Sequence, residues 1–158
     1  MNIASLRVDL IGPVRDLLSM GEPYISPRGV SDYWLYASLF GDTCLVAIEN
    51  EQVIGAALGF QSQVDPTDLY LQDVMVHPEH RGRGIAKDLI TAVAETGRKR
   101  GCTRMYLTSE PENSVAHQTW LGLGFVNVPG DYTEHGVHVT ADYKGPGRDR
   151  AVYEIHLR

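Results

Sequence analysis

The stretch Val74–Ile90, VMVHPEHRGRGIAKDLI, decides how the rest of the chain reads. Three apolar residues lead into a proline, HRGRG follows, and a helical pattern starts at once. From Ile85 to Arg100, residues Ile85, Ala86, Leu89, Ile90, Val93 and Ala94 share one stripe, while Lys87, Asp88, Thr91, Glu95 and Arg98 face away. Gly101 closes this amphipathic helix. A helix that begins at Gly84 presents unpaired backbone N–H groups and the positive end of its dipole. Glycines ahead of it let the backbone curl tightly and approach a ligand without side-chain obstruction. Such a turn suits a pyrophosphate, with Arg81 and Arg83 adding charge. The plainer alternative is a glycine-rich turn whose arginines are merely solvated. A P-loop is excluded, because no GxxxxGK[ST] run exists; a Rossmann fingerprint is excluded too, because Lys87 stands where a third glycine belongs.

Working outward, LYLQDVMV (69–76) is a strand that feeds the turn, preceded by a turn at VDPTD (64–68). CLVAIEN and VIGAALGFQ flank a polar turn at Asn50–Gln52 and read as a hairpin. Further upstream, Ile3–Val8 is a short strand, and Pro13 suits the first turn of a helix reaching Met20, with Gly21 as its stop. Residues 22–30 form a loop, and Ser31 is the expected cap of a helix that ends at Gly41. Downstream come a strand at TRMYLTS (103–109), a helix over Asn113–Leu123, a short strand at FVNV (125–128) and a final strand at AVYEIHL (151–157). Residues 129–150 read as a long irregular excursion, and loops of that length are uncommon unless they serve a function. The order is mixed α/β.

With 158 residues the chain fits one domain that can bury a core. Apolar residues at 43% and charged residues at 22% exclude disordered and fibrous classes. A net charge of −6 argues against a nucleic-acid surface. Cys44 and Cys102 lie outside any CxxC pattern and are expected to be buried, reduced thiols. The histidines form neither HxxxH nor HxH, so no metal site is expected. No basic leader precedes an apolar run, and no run of roughly eighteen apolar residues occurs. A cytoplasmic protein with no membrane partner is the expectation.

The residues Arg81-x-x-Gly84-x-Ala86, followed by Asn113-x-x-Ala116 leading into LGLGF (121–125), resemble the acetyl-CoA motifs of the GNAT N-acetyltransferase superfamily. The resemblance covers about residues 43–128 well and the N-terminal helices loosely; it does not explain 129–150. It implies a GNAT-like α/β fold: a twisted, mostly antiparallel sheet of six or seven strands with splayed middle strands, flanked by about four helices. It also implies acetyl-CoA as co-substrate. The backbone of Val74, Met75 and Val76 would pair with the pantetheine arm. The amides of Arg81, Gly82, Arg83, Gly84, Ile85 and Ala86 would hold the pyrophosphate, and Asn113 would contact the arm from the other side. A backbone N–H near Val74 would polarise the thioester carbonyl as an oxyanion-hole device.

Acetyl transfer to an amine needs a neutral amine, yet an alkyl ammonium has a pKa of about 10.4. A carboxylate near the acceptor would help remove that proton. Asp73, set among apolar neighbours in the thioester strand, is the first candidate, and Glu110 is the second. Each also has a plain reading, as a structural strand acid and a loop carboxylate. Many family members carry a tyrosine on the helix after Asn113 that protonates the departing thiolate; here that position is Trp120, whose indole N–H donates but does not titrate. Trp120 is expected on the cofactor side, as packing or contact. Tyr132 or a water is the alternative acid.

The resemblance places the acceptor pocket over residues 22–40 and 129–150, where Tyr24, Tyr33 and Trp34, with Tyr36, offer an aromatic wall. The segment YWLYASLFGDTCLVAIENEQVIGAALGF with VDPTDLYLQDVMVHP is similar to diaminobutyrate acetyltransferases, whereas ENSVAHQTWLGLGF is similar to aminoglycoside 6'-acetyltransferases. Both similarities imply a small, polyfunctional amine as the partner. A protein lysine or N-terminal amine, or a non-catalytic acyl-CoA sensor, stays open. Dimers are common in the family, and AVYEIHL offers an edge for a homodimer without compelling one.

Overall fold

The computed structural model describes residues 1–158. Strand β1 (Asn2–Ser5) is followed by a 3-10 turn at Val8–Leu10 and by helices α1 (Ile11–Ser19) and α2 (Val30–Leu39). Next come β2 (Cys44–Glu49), β3 (Gln52–Gln61) and β4 (Asp68–Val76), then α3 (Ile85–Lys99), β5 (Arg104–Ser109) and α4 (Ser114–Gly122). Short strands β6 (Val126–Asn127), β7 (Tyr132–Glu134) and β8 (Val137–Val139) precede the last strand, β9 (Ala151–His156). The seven-stranded sheet has the order β1-β2-β3-β4-β5-β9-β6, antiparallel except for the parallel β4–β5 pair. The architecture is the mixed α/β, mostly antiparallel one expected.

Helices cover both faces of the sheet. On one face, Ile85, Leu89, Ile90, Val93 and Ala94 of α3 pack with Leu69, Leu71, Met105, Leu107 and Tyr153. On the other, Val14, Leu17 and Leu18 of α1 and Tyr33 of α2 pack with Val46, Val53, Ala56, Leu58 and Met75. This double burial is why β3 reads VIGAALG without polar alternation. Gly55 sets the seat of α3, since a Cβ there would stand 3.0 Å from Leu89 Cδ1 and 3.1 Å from Ile85 Cγ2.

Two irregularities in β4 position the site. Its pairing with β5 is confined to Asp68–Arg104, Leu69–Met105 and Tyr70–Tyr106, and beyond these the strands part. Opposite β3, Leu71 faces Gly59 and Asp73 faces Leu58, so Gln72 is an extra residue, a β-bulge. The bulge flips the side-chain parity. Leu69 and Leu71 belong to the α3-side core, but beyond the bulge it is Val74 and Val76 that pack there. Met75 turns into the α1/α2 core, and Asp73, two residues before it, shares that face.

Three local expectations change. Ser31 lies within the first turn of α2 rather than capping it; Gly29 is the cap, its N–H donating to Asp32 Oδ2 at 3.0 Å. Strand β1 stops at Ser5, and Val8 opens the 3-10 turn. Residues 129–150 are not irregular throughout: β7 and β8 form a hairpin around His135 and Gly136, both at positive φ (50° and 81°). Val137 and Val139 from this hairpin are buried in the α3-side core. Cys44 and Cys102 are buried and free, as expected.

Candidate active site

The HRGRG turn leaves its peptide groups uncommitted. Gly82 and Gly84 both sit at φ +78°, a conformation that costs an L side chain strain, and nothing lies within 4 Å of a Cβ at either. The backbone N–H groups from Arg81 to Lys87 donate to no acceptor within the chain. They open onto the N-terminus of a 15-residue helix, where the dipole adds to them. This donor set fits a diphosphate. Arg83, expected to add charge to that site, is instead stapled to β2: its guanidinium donates to Glu49 Oε1 at 2.7 Å and Oε2 at 3.0 Å, and it meets His80 Nδ1 at 2.8 Å. The hydrogen bond from Arg83 holds the Glu49 carboxyl below its ordinary pKa. Arg81 is exposed and in no ion pair, so it is the arginine free to meet a phosphate.

Where β4 and β5 part, a cleft of about 100 Å³ opens. It is lined by Leu71–Val74 on one side, Leu107–Glu110 on the other, Asn113, Ala116 and Trp120 of the α4 region, and Tyr24 and Ile25 from the loop after α1. Asp73 Oδ2, Ser109 Oγ and Trp120 Nε1 are the three buried side-chain polar atoms of the molecule without a hydrogen-bond partner, and all three belong to this lining. Leaving such a group unpaired costs roughly 1–3 kcal/mol, so folded chains retain them at few places. One acceptor and two donors therefore stand unpaired among the residues that line this cleft.

Burial pushes the Asp73 carboxyl up to about 6, against the opposing pull of Arg28 and Lys144. Asn113 Oδ1 accepts from the Ala116 N–H at 3.1 Å, capping α4, and Asn113 also lines the cleft. Glu110 stands at the rim, 3.9 Å from the Arg150 guanidinium. Behind the cleft, His117 Nδ1 and Tyr153 Oη are 2.6 Å apart. Ser109 Oγ stands near enough to Tyr153 to pull that phenol's pKa down, against the larger effect of burial, although the two hydroxyls are not at bonding geometry.

The fold thus brings together Asp73, Val74, Glu110, Asn113, Trp120 and Tyr24. Met75 is buried in the α1/α2 core, so only its backbone faces the open strand edge, and Val76 leans on the opposite core. Ile85 is buried beneath the turn and Ala86 half-buried beside it. Tyr33 is fully buried, its Oη accepting from the Arg28 N–H at 3.1 Å, and is a core residue rather than a pocket wall. Trp34 is exposed and outside the lining. Tyr132 also lies outside it; its hydroxyl donates to Asp149 Oδ2 at 2.5 Å, which pushes its pKa to about 12. A phenol so held is a poor proton source. Ser109 was not anticipated, although its parity with Met105 and Leu107 puts it on the buried face of β5. Arg28 and Lys144, from loops without periodicity, gave no signal.

A larger concavity, about 870 Å³, lies at the far end of the sheet between the C-terminus of α2, the end of β3 and Arg100. Its Asp42–Arg100–Gln61 cluster is internally satisfied, at 2.9 and 3.1 Å, and none of the orphaned atoms faces it. The orphaned atoms all belong to residues of the smaller cleft.

The sequence profile of the Acetyltransferase (GNAT) family matches residues 14–125, most of the chain. The chain belongs to the GNAT acetyltransferase family. It is 39% identical over 57 residues to aminoglycoside N(6')-acetyltransferase type 1 of Salmonella typhimurium, covering 36% of this chain and 39% of that protein. It is 32% identical over 109 residues to bovine (Bos taurus) thialysine N-epsilon-acetyltransferase, covering 60% and 64%. The chain thus spans less than two thirds of the length of these relatives. Among GNAT structures, diaminobutyrate acetyltransferase from Paenibacillus lautus, solved with L-2,4-diaminobutyric acid and coenzyme A, superposes with a TM-score of 0.78 at 20% identity, over 99% of this chain and 94% of that one. At that identity the likeness shows the fold.

Proposed function

We propose that this chain transfers the acetyl group of acetyl-CoA to a primary amine of a small molecule, by direct attack of the amine on the thioester. The observation that carries the reading is that the three orphaned polar side chains of the molecule all belong to residues lining the cleft between the parted strands. Uncommitted amides at Arg81–Lys87, beyond the C-terminal end of β4, would serve as the diphosphate seat. Relatives named for aminoglycoside, thialysine and diaminobutyric acid acetylation support an amine on a small, polyfunctional molecule.

Bound there, acetyl-CoA supplies the activated acyl group, and the residues of the chain handle charge and protons. The Asp73 carboxylate takes a proton from the acceptor's ammonium, directly or through water; a pKa near 6 leaves it ionised at neutral pH yet more basic than an ordinary aspartate. The freed nitrogen forms the C–N bond as the C–S bond breaks, and the second proton it loses on becoming an amide leaves to water or to the departing thiolate. The Ser109 hydroxyl and the Trp120 indole N–H donate toward the negative charge that develops at oxygen and sulfur. Trp120 cannot hand over its proton. A thiol of pKa about 8.5 released as thiolate at pH 7 costs roughly 2 kcal/mol, so solvent can supply that proton. Glu110 remains the second carboxylate at the rim.

A thiol-release assay with acetyl-CoA tests this against diamines, amino acids and aminoglycosides. Amine-dependent release with at least one class is expected. Acetyl-CoA binding with no amine-dependent release across the panel would favour an acyl-CoA sensor instead.

A further inference from the structure

Two loops bring a cation each to the bulged face of β4. Arg28 arrives on the loop between α1 and α2, whose backbone is pinned on both sides: Arg15 Nε donates to the Arg28 carbonyl at 2.8 Å, and the Arg28 N–H donates to Tyr33 Oη at 3.1 Å. Its guanidinium meets the Gln72 side chain, whose amide oxygen accepts from it. Lys144 arrives from the excursion after β8. That segment is held by the Asp142 N–H on Asp149 Oδ1 at 2.9 Å and the Gly147 N–H on Asp142 Oδ1 at 2.7 Å. Its ammonium bonds to Tyr70 Oη and lies 4.5 Å from that ring's centroid. Tyr70, Gln72 and Asp73 therefore carry, in order along β4, a lysine, an arginine and a buried carboxylate.

Neither cation is in an ion pair, a state they share with other cations of the chain such as Arg15 and Arg81; on β4, Arg28 bonds to the neutral Gln72 and Lys144 to the neutral Tyr70. In a chain of net charge −6, two unpaired cations beside one buried acid mark a place where an external anion is welcome. Both are felt at Asp73, where they oppose the effect of burial. The strand rises about 3.3 Å per residue, so Arg28 at Gln72 and Lys144 at Tyr70 stand roughly 3–10 Å along β4 from Asp73. That span matches the distance between an amine and a carboxylate within one small amino acid.

Building on the acetyl-transfer reading, we infer that the acceptor is a small amino acid whose carboxylate is held by Arg28 and Lys144 while its amine faces Asp73. A polycationic acceptor meets two cations against one carboxylate on this face and is disfavoured. The site selects for the anion as well as for the amine.

The test is steady-state thiol release with matched acceptors: ornithine against putrescine, lysine against cadaverine, and an aminoglycoside as the polycation. The diamino acid is expected to exceed its decarboxylated counterpart in kcat/KM by on the order of tenfold to a hundredfold, the effect of one or two charge-assisted hydrogen bonds. In Arg28→Gln and Lys144→Gln that ratio should fall toward one, through a higher acceptor KM. Arg28→Lys should restore part of it, and the KM for acetyl-CoA reports whether the cofactor site is intact in each variant. Turnover of diamines or aminoglycosides at rates equal to or above those of the amino acids overturns the carboxylate subsite and leaves acetyl transfer standing. Acetyl-CoA binding without turnover of any acceptor overturns both.

Discussion

Replacing Asp73 with asparagine should make the protein more stable and less active, and the stability gain should depend on pH in a defined way. The folded-state pKa of Asp73 is about 6, against 3.8 for the group in its ordinary environment. Because the folded pKa is the higher, the folded chain binds more protons than the unfolded one between these values, and stability falls as pH rises through that window. The difference corresponds to roughly 3 kcal/mol lost by pH 8, about half of it between pH 5 and pH 8. Asparagine carries no such titration. Urea unfolding of wild type and Asp73→Asn at pH 5, 6, 7 and 8 should show the variant gaining on wild type by about 1–2 kcal/mol across the series. Parallel pH profiles for the two proteins would refute the claim that an unpartnered, buried carboxylate occupies this cleft. Activity should move the other way: kcat/KM falls by about a hundredfold or more in the variant, and in wild type it rises with pH through about 6 as the carboxylate ionises.

The other predictions concern the donors and the turn. Trp120→Phe keeps the ring against Phe125 but removes an orphaned N–H, so stability should hold or rise slightly while kcat drops about tenfold, read from melting curves and thiol release. Gly84→Ala meets no steric obstacle but must hold φ +78°, so it should cost about 1–2 kcal/mol of stability in thermal melts and raise the KM for acetyl-CoA. Arg81→Ala should weaken CoA binding by calorimetry several-fold and lose salt sensitivity. Arg83→Ala breaks the staple to Glu49, a half-exposed pair, and should change stability in urea little.

The order of elements and the glycine turn ahead of α3 were legible because both rest on local chemistry. Glycine alone reaches φ +78° cheaply, and the α3 stripe repeats over 15 residues, long enough for its period to show. The identity of β4 was legible as well, but its bulge was not: an extra Gln72 becomes visible only when β3 fixes the register. That hidden residue is what turns Asp73 toward the α1/α2 face. Helix α2 is apolar on most sides, so its sequence could not say that Tyr33 goes into the core and Trp34 into solvent. Strands of three residues, like β7 and β8, are too short to show alternation. Orphaned atoms are a property of what fails to surround them, and no single segment encodes that. Arg28 and Lys144 meet β4 from loops more than a hundred residues apart in sequence, and only the closed fold brings them there.

In the proposed reaction the parted strands β4 and β5 receive acetyl-CoA, with its diphosphate on the open amides of the HRGRG turn. A crystal structure with acetyl-CoA tests it most directly. Diphosphate oxygens within hydrogen-bond distance of the amides of residues 81–87, with the thioester beside Ser109 Oγ and Trp120 Nε1, are the predicted result. A diphosphate bound elsewhere, or a thioester outside the cleft, would contradict it.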